Sequence, residues 1–167
     1  MLQAAFERPY QLGRAMRSTH AHVAADTLFH IGAFVILDAQ GLASPGADLA
    51  GHRWGGIAIP QRFPDDPDAH RNVAFNNTGG PSHAGVVRFE TDRVFLAEVV
   101  GGGTPGAGNL LYVVDDEQLT FNAAGVTNAI VAGRALYQET VDLPRGLDRT
   151  KTWWYVDPVA AAAQGVP

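Results

Sequence analysis

Apolar residues in this chain come in short runs divided by Gly, Pro, Asn and Asp, a spacing that predicts short strands rather than helices. The clearest stretch is 108–136. Leu110 to Val114 is a strand-type run stopped by Asp115-Asp116-Glu117, resumed at Gln118 to Phe121 and again at Ala129 to Leu136. A hairpin followed by a returning strand is expected there. An earlier stretch has a related pattern: Phe34 to Leu37 stops at Asp38, Leu42 follows, and a Gly-x-Ala-Ile ending occupies Gly56 to Ile59. With Asp38 laid on Asp115 and no gap, Leu42 meets Leu119, Ala47 meets Ala124, Gly56 meets Gly133, Ala58 meets Ala135 and Ile59 meets Leu136. We read a weak internal repeat of one β unit, 32–59 and 109–136.

The remaining elements follow from the same pattern. Leu28 to Leu37 is the first strand, ended by Asp38-Ala39-Gln40-Gly41, and Leu49 to Ile59 returns through Gly51, Gly55 and Gly56. Glycines inside a strand imply a bulge or a close backbone approach. Val86 to Phe89 and Val94 to Val100 read as a hairpin around the four-residue turn Glu90 to Arg93, and Gly101 to Asn109 as a linker. In the final strand, Thr152 to Val156, Trp153 and Tyr155 face one way and Trp154 and Val156 the other. Gln61 to Gly85 is a long irregular excursion with one short strand at Val73 to Phe75. Residues 1–27 lack a sustained period and read as an extended arm; 157–167 read as a loose tail. The expected fold is all-β, a small β-barrel or β-sandwich of short strands over 28–156.

Composition narrows the function. With 46% hydrophobic residues, 167 residues suffice for a real core. A formal charge of −5 argues against a nucleic-acid partner, which needs clustered positive charge to displace counterions. Cysteine is absent, so disulfides, thiolate metal sites and a Cys nucleophile are excluded. No run approaches the ~20 apolar residues of a membrane helix, and the N-terminus has no apolar signal core, so a soluble protein made inside the cell is expected.

Several patterns suggest chemistry and are weighed against plainer roles. Gly101-x-Gly103-x-x-Gly106 has dinucleotide-loop spacing, but a strand follows it instead of the helix whose N-terminus would face a pyrophosphate. The acidic groups Asp65-Asp66-Pro67-Asp68 and Asp115-Asp116-Glu117 suit a solvated loop and a hairpin turn. His20-Ala21-His22 with Asp26 is similar to the first metal motif of the cupins, although the second motif has no match. Serine lies in no Gly-x-Ser-x-Gly context. We expect no catalytic residues and no cofactor.

Leu110-Leu111-Tyr112-Val113-Val114-Asp115, then Leu119-Thr120, then Ile130-Val131-Ala132-Gly133-Arg134-Ala135-Leu136 and a closing Trp154-Tyr155-Val156 resemble the capsid decoration, or cement, proteins of tailed bacteriophages. The resemblance spans about 28–156 and implies a non-enzymatic β-barrel-like protein. It would be made in the host bacterial cytoplasm and carried on the capsid exterior of the virion, bound to the major capsid protein, as a homo-oligomer with a trimer favoured. Neither nucleic acid nor membrane is implied as a partner. Interface candidates are Arg8, Tyr10, Arg14, Arg17, Arg53, Trp54, Arg134, Trp153 and Tyr155, the residue types that concentrate binding energy. Alternatives are a cupin-like metal-binding barrel using His20, His22 and Asp26, or another virion component such as a head fibre or tail protein.

Overall fold

The computed structural model describes residues 18–60, 73–140 and 147–158. Among these residues lie twelve strands and one 3-10 turn, Ala123–Gly125. The strands are β1 (Ser18–His22), β2 (Thr27–His30), β3 (Phe34–Leu37), β4 (Ala43–Pro45), β5 (Arg53–Ala58), β6 (Val73–Asn77), β7 (Val86–Glu90), β8 (Phe95–Val100), β9 (Leu110–Val113), β10 (Gln118–Thr120), β11 (Val131–Glu139) and β12 (Trp153–Asp157). The all-β class expected from the sequence is what the chain adopts.

Ten of these strands form two barrels of one design. The second is closed, in the order β10-β9-β11-β12-β8, with β8 meeting β10 in parallel where Val99 lies opposite Leu119. The first is a sheet in the order β4-β3-β5-β7-β1, whose two edges meet at a single parallel bridge, Val23 to Ala43. Every other neighbouring pair in both is antiparallel. Thus β1, β3, β4, β5 and β7 correspond to β8, β9, β10, β11 and β12.

The registers agree residue by residue. Ile36 faces Trp54 and Val35 faces Gly56 in the first barrel; Tyr112 faces Val131 and Leu111 faces Gly133 in the second. Each ladder slips by one residue between those two pairs, a bulge that turns the strand so that the sheet can curl. Gly32 N donates to Ala58 O, and Gly108 N donates to Ala135 O, from residues with φ of 88° and 86°.

The interiors correspond as well. Val23, Val35, Leu37, Ala43, Ala58, Val87 and Phe89 pack together in the first barrel. Their counterparts Val99, Leu111, Val113, Leu119, Ala135, Trp154 and Val156 pack together in the second. The antiparallel pair β2 and β6 belongs to the first barrel alone and adds Phe29 and Ala74 to its core.

Four expectations are corrected. The hairpin expected over 86–100 does not form: β7 has both edges taken by β1 and β5, β8 pairs with β12 and β10, and the turn between them carries the chain from one barrel to the other. The arm expected over 1–27 is built into the fold from Ser18 onward, because β1 supplies the strand that covers β7. The strand expected over 28–37 is two, β2 and β3, broken at Gly32. From residue 73 on, the expected irregular excursion is tied down: the Asn77 side chain donates to Ala24 O and Pro81 O, both at 2.9 Å, and Ser82 Oγ accepts from Ala25 N. Its earlier part, 61–72, and the tail from 159 lie outside the described residues.

Candidate functional site

The seam between the barrels explains several residues that the sequence singles out. Phe34, Ile36, Trp54 and Ile57 point out of the first barrel and join the core of the second. Trp54 stacks on Phe95 with ring centroids 5.7 Å apart and planes 14° apart, and Phe34 meets both rings edge-on. Polar contacts set the register: Phe34 N donates to Asp116 O at 2.8 Å, and Ala47 bridges Asp115. The Asp48 carboxylate accepts from the main-chain N–H groups of Thr127 and Asn128. Gly46 fits because a β-carbon there would lie 2.6 Å from Asp115 O.

Trp54 is therefore an anchor inside the chain, where the sequence suggested an anchor for a partner. Its Nε1 is buried without a hydrogen-bond partner, as is that of Trp154. Trp153 is also internal: its indole N–H donates to Asp148 O at 2.9 Å. The Arg134 guanidinium donates to Gly108 O and clasps the loop before β9. Arg53 is exposed at the start of β5. Tyr155 lies against Tyr137 with ring centroids 4.8 Å apart, and Tyr137 is 42% exposed, so this pair is a surface aromatic patch. Arg8, Tyr10, Arg14 and Arg17 lie outside the described residues.

The candidate metal ligands do not converge. His20 and His22 are exposed on β1, and His22 lies beside His83, with ring centroids 5.3 Å apart. Asp26, at φ 52°, accepts from Gly79 N at 2.8 Å and holds the turn after β6. Among the described residues no group of three or more His, Asp or Glu is placed to hold a metal ion.

The acidic turn has a structural use. Asp115 Oδ1 accepts from Glu117 N at 2.9 Å and Gln118 N at 2.8 Å, as Asp38 Oδ1 accepts from Gln40 N at 2.9 Å and Leu42 N at 2.8 Å in the other barrel. Both aspartates close the turn between the first two strands of their unit. Burial pushes the Glu117 carboxyl up, and the neighbouring Asp115 and Asp116 add to the shift against the pull of Lys151.

One surface was not picked out in the sequence. Leu110, Tyr112 and Val131 point out of the second barrel and are only half-buried, with Val131 directly across from Tyr112. A signal was present: Leu110 to Val113 is apolar at every position, which in an antiparallel strand means that both faces need cover. Among the described residues Leu28, Leu49 and Tyr137 are exposed large hydrophobic side chains.

No family model matches the chain, and no curated protein does. Among the described residues no helix is long and apolar enough to cross a membrane.

Proposed function

We propose that this chain is a capsid decoration protein of a tailed bacteriophage, a non-enzymatic part of the virion that binds the outer surface of the head through the major capsid protein and reinforces the shell. The observation that carries the reading is the second barrel. The segment that resembles the decoration proteins, Leu110 to Leu136 with Trp154 to Val156, makes four of its five strands. The interior of both barrels is apolar, and of the carboxylates that the sequence marked for chemistry Asp115 closes a turn and Asp26 holds another, while Asp38 and Asp48 serve a turn and the seam. A rigid body of this kind suits reinforcement. Attachment at many repeated junctions gains from multivalency, so modest affinity at each is enough, and a trimer would engage three at once.

The test is decoration of heads that lack the protein. Added chain should co-sediment with mature heads to a saturating, symmetric occupancy visible by electron microscopy, and should raise their disruption temperature. Failure to bind heads, or purification with tails or fibres instead, rejects the reading. Full occupancy at an unchanged disruption temperature rejects the reinforcing role.

A further inference from the structure

The two barrels share a design, but their outer faces have different fates. In the first barrel, the outward residues of β3 and β5, Phe34, Ile36, Trp54 and Ile57, are covered by the second barrel of the same chain. By register, their counterparts on β9 and β11 are Leu110, Tyr112, Val131 and Arg134. Leu110 and Tyr112 alternate with the fully buried Leu111 and Val113, so they stand on the outside, and neither they nor Val131 belongs to the core. The second barrel thus carries an apolar face at the position that the first uses for docking, with no third barrel among the described residues to cover it.

The receiving surface can be traced in the same way. The first barrel docks on one end of the second, against the Asp115–Asp116 turn, the Thr127–Asn128 segment and Phe95. The same end of the first barrel consists of the turn at Ala39 and Gln40, the segment at Ala50 and Gly51, and Thr19 of β1, all exposed. Beside it stands Leu49, 42% exposed. One chain therefore carries the positional counterparts of both halves of a contact that it makes once within itself, with Thr19 standing where the second barrel has Phe95.

We propose that the chain assembles with copies of itself head to tail, the outward face of the second barrel of one copy seating on the open end of the first barrel of the next. Leu110, Tyr112 and Val131 take the places of Phe34, Ile36 and Trp54, and Arg134, in the place of Ile57, brings a cation to the rim. The contact is heterologous: it closes as a ring when its rotation returns to the start and runs on as a filament otherwise. It is independent of what the assembly binds.

The experiment is sedimentation of the full chain over a range of concentrations, with two variants placed on opposite halves of the contact. The native chain should have a mass that is a multiple of 17.7 kDa. Tyr112→Glu and Leu49→Glu should each sediment as monomers with unchanged circular dichroism and melting temperature; Leu49, in an exposed loop, serves as the control for folding. An equimolar mixture of the two should form a dimer and nothing larger, because one good face meets one good end. A monomeric native chain overturns the proposal. So does a Leu49→Glu variant that assembles normally while Tyr112→Glu does not, since that pattern marks a face-to-face contact. Loss of head binding in Tyr112→Glu with a native chain that is monomeric in solution would assign the face to the shell instead, and also overturns it.

Discussion

Gly56 and Gly133 occupy the same place in the two barrels, each with its α-carbon against the carbonyl of the last residue of the neighbouring strand. A β-carbon on Gly56 would lie 2.1 Å from Glu90 O, and one on Gly133 would lie 2.8 Å from Asp157 O and 2.8 Å from Val156 Cγ1. Each residue follows the bulge at which its strand bends. The glycine of the Gly-x-Ala pattern is thus a packing requirement of the barrel, met twice.

Gly56→Ala should destabilise the chain more than Gly133→Ala, because its backbone has no room at all and sits at φ 151°. We expect a loss of about 3 kcal/mol for the first and about 1–2 kcal/mol for the second, in the range of overpacked sites. Denaturant unfolding measures both. Equal losses would mean that the first barrel relaxes around the new methyl as easily as the second.

This pair shows what could be read from the sequence. Apolar runs with Gly and Asp punctuation gave the all-β class, the β9, β10 and β11 unit, and the correspondence of Gly56 with Gly133. The repeat as read covered three strands of each barrel. The other two, β1 and β7 in the first and β8 and β12 in the second, escaped because their pairing is long-range: β1 joins β7 with Ser18 opposite Glu90, and nothing local in Ser18 to His22 announces it. The hairpin expected over 86–100 failed for the same reason, since a four-residue gap between two apolar runs fits a turn and a crossing between barrels equally well. The seam was hidden because Phe34, Ile36 and Trp54 look like any half-buried strand face until a second barrel is set against them.

Trp54 fills the seam but leaves its indole N–H unmet. Replacing it by Phe keeps a ring against Phe95 and removes the unsatisfied donor, so the loss of volume and the gain in polar satisfaction nearly cancel. Trp54→Phe should lie within about 1 kcal/mol of the native chain, whereas Trp54→Ala should cost about 3–5 kcal/mol by opening a cavity between the barrels. Denaturation midpoints decide. A Phe variant as weak as the Ala variant would show that the indole edge itself is needed.

Asp48 ties the barrels together through charge. Burial works to raise its carboxyl, but the N–H groups of Thr127 and Asn128 and the Asn128 side chain outweigh it and hold the group below its usual value. A depressed folded value means that this contribution is present above the unfolded value, about 3.9, and is lost as pH falls through the folded one. The site is open to water, so we expect Asp48→Asn to cost only about 1 kcal/mol at neutral pH. Stability curves of the two proteins should run parallel from neutral pH down to about 5 and converge below about 4. A constant gap through the acid range would show that side-chain shape, rather than ionisation, makes the link.

Lys151, the one lysine in the chain, gives the opposite dependence. Its Nζ lies 2.7 Å from Oε2 of Glu98, which is buried on β8. The hydrogen bond that the ammonium donates to Glu98 raises the lysine above its ordinary value against the opposing effect of burial, and the charges of Glu98, Glu117 and Asp148 add to the rise. A raised folded value contributes stability that is complete below the unfolded value, about 10.4, and lost as pH rises through the folded one. Because the lysine is about one-third exposed, water screens the pair and its own worth is about 0.5–1 kcal/mol. Removing it costs more than that, since Glu98 is then left buried without its cation: Lys151→Met should lose about 1–2 kcal/mol at neutral pH. The double variant with Glu98→Gln should recover part of the loss. Acetylation, which removes the lysine charge, should mimic Lys151→Met, and reductive methylation, which keeps it, should leave the melting temperature nearly unchanged. If the two modifications lower it equally, packing of the lysine stem and not its charge holds β8 to the loop before β12.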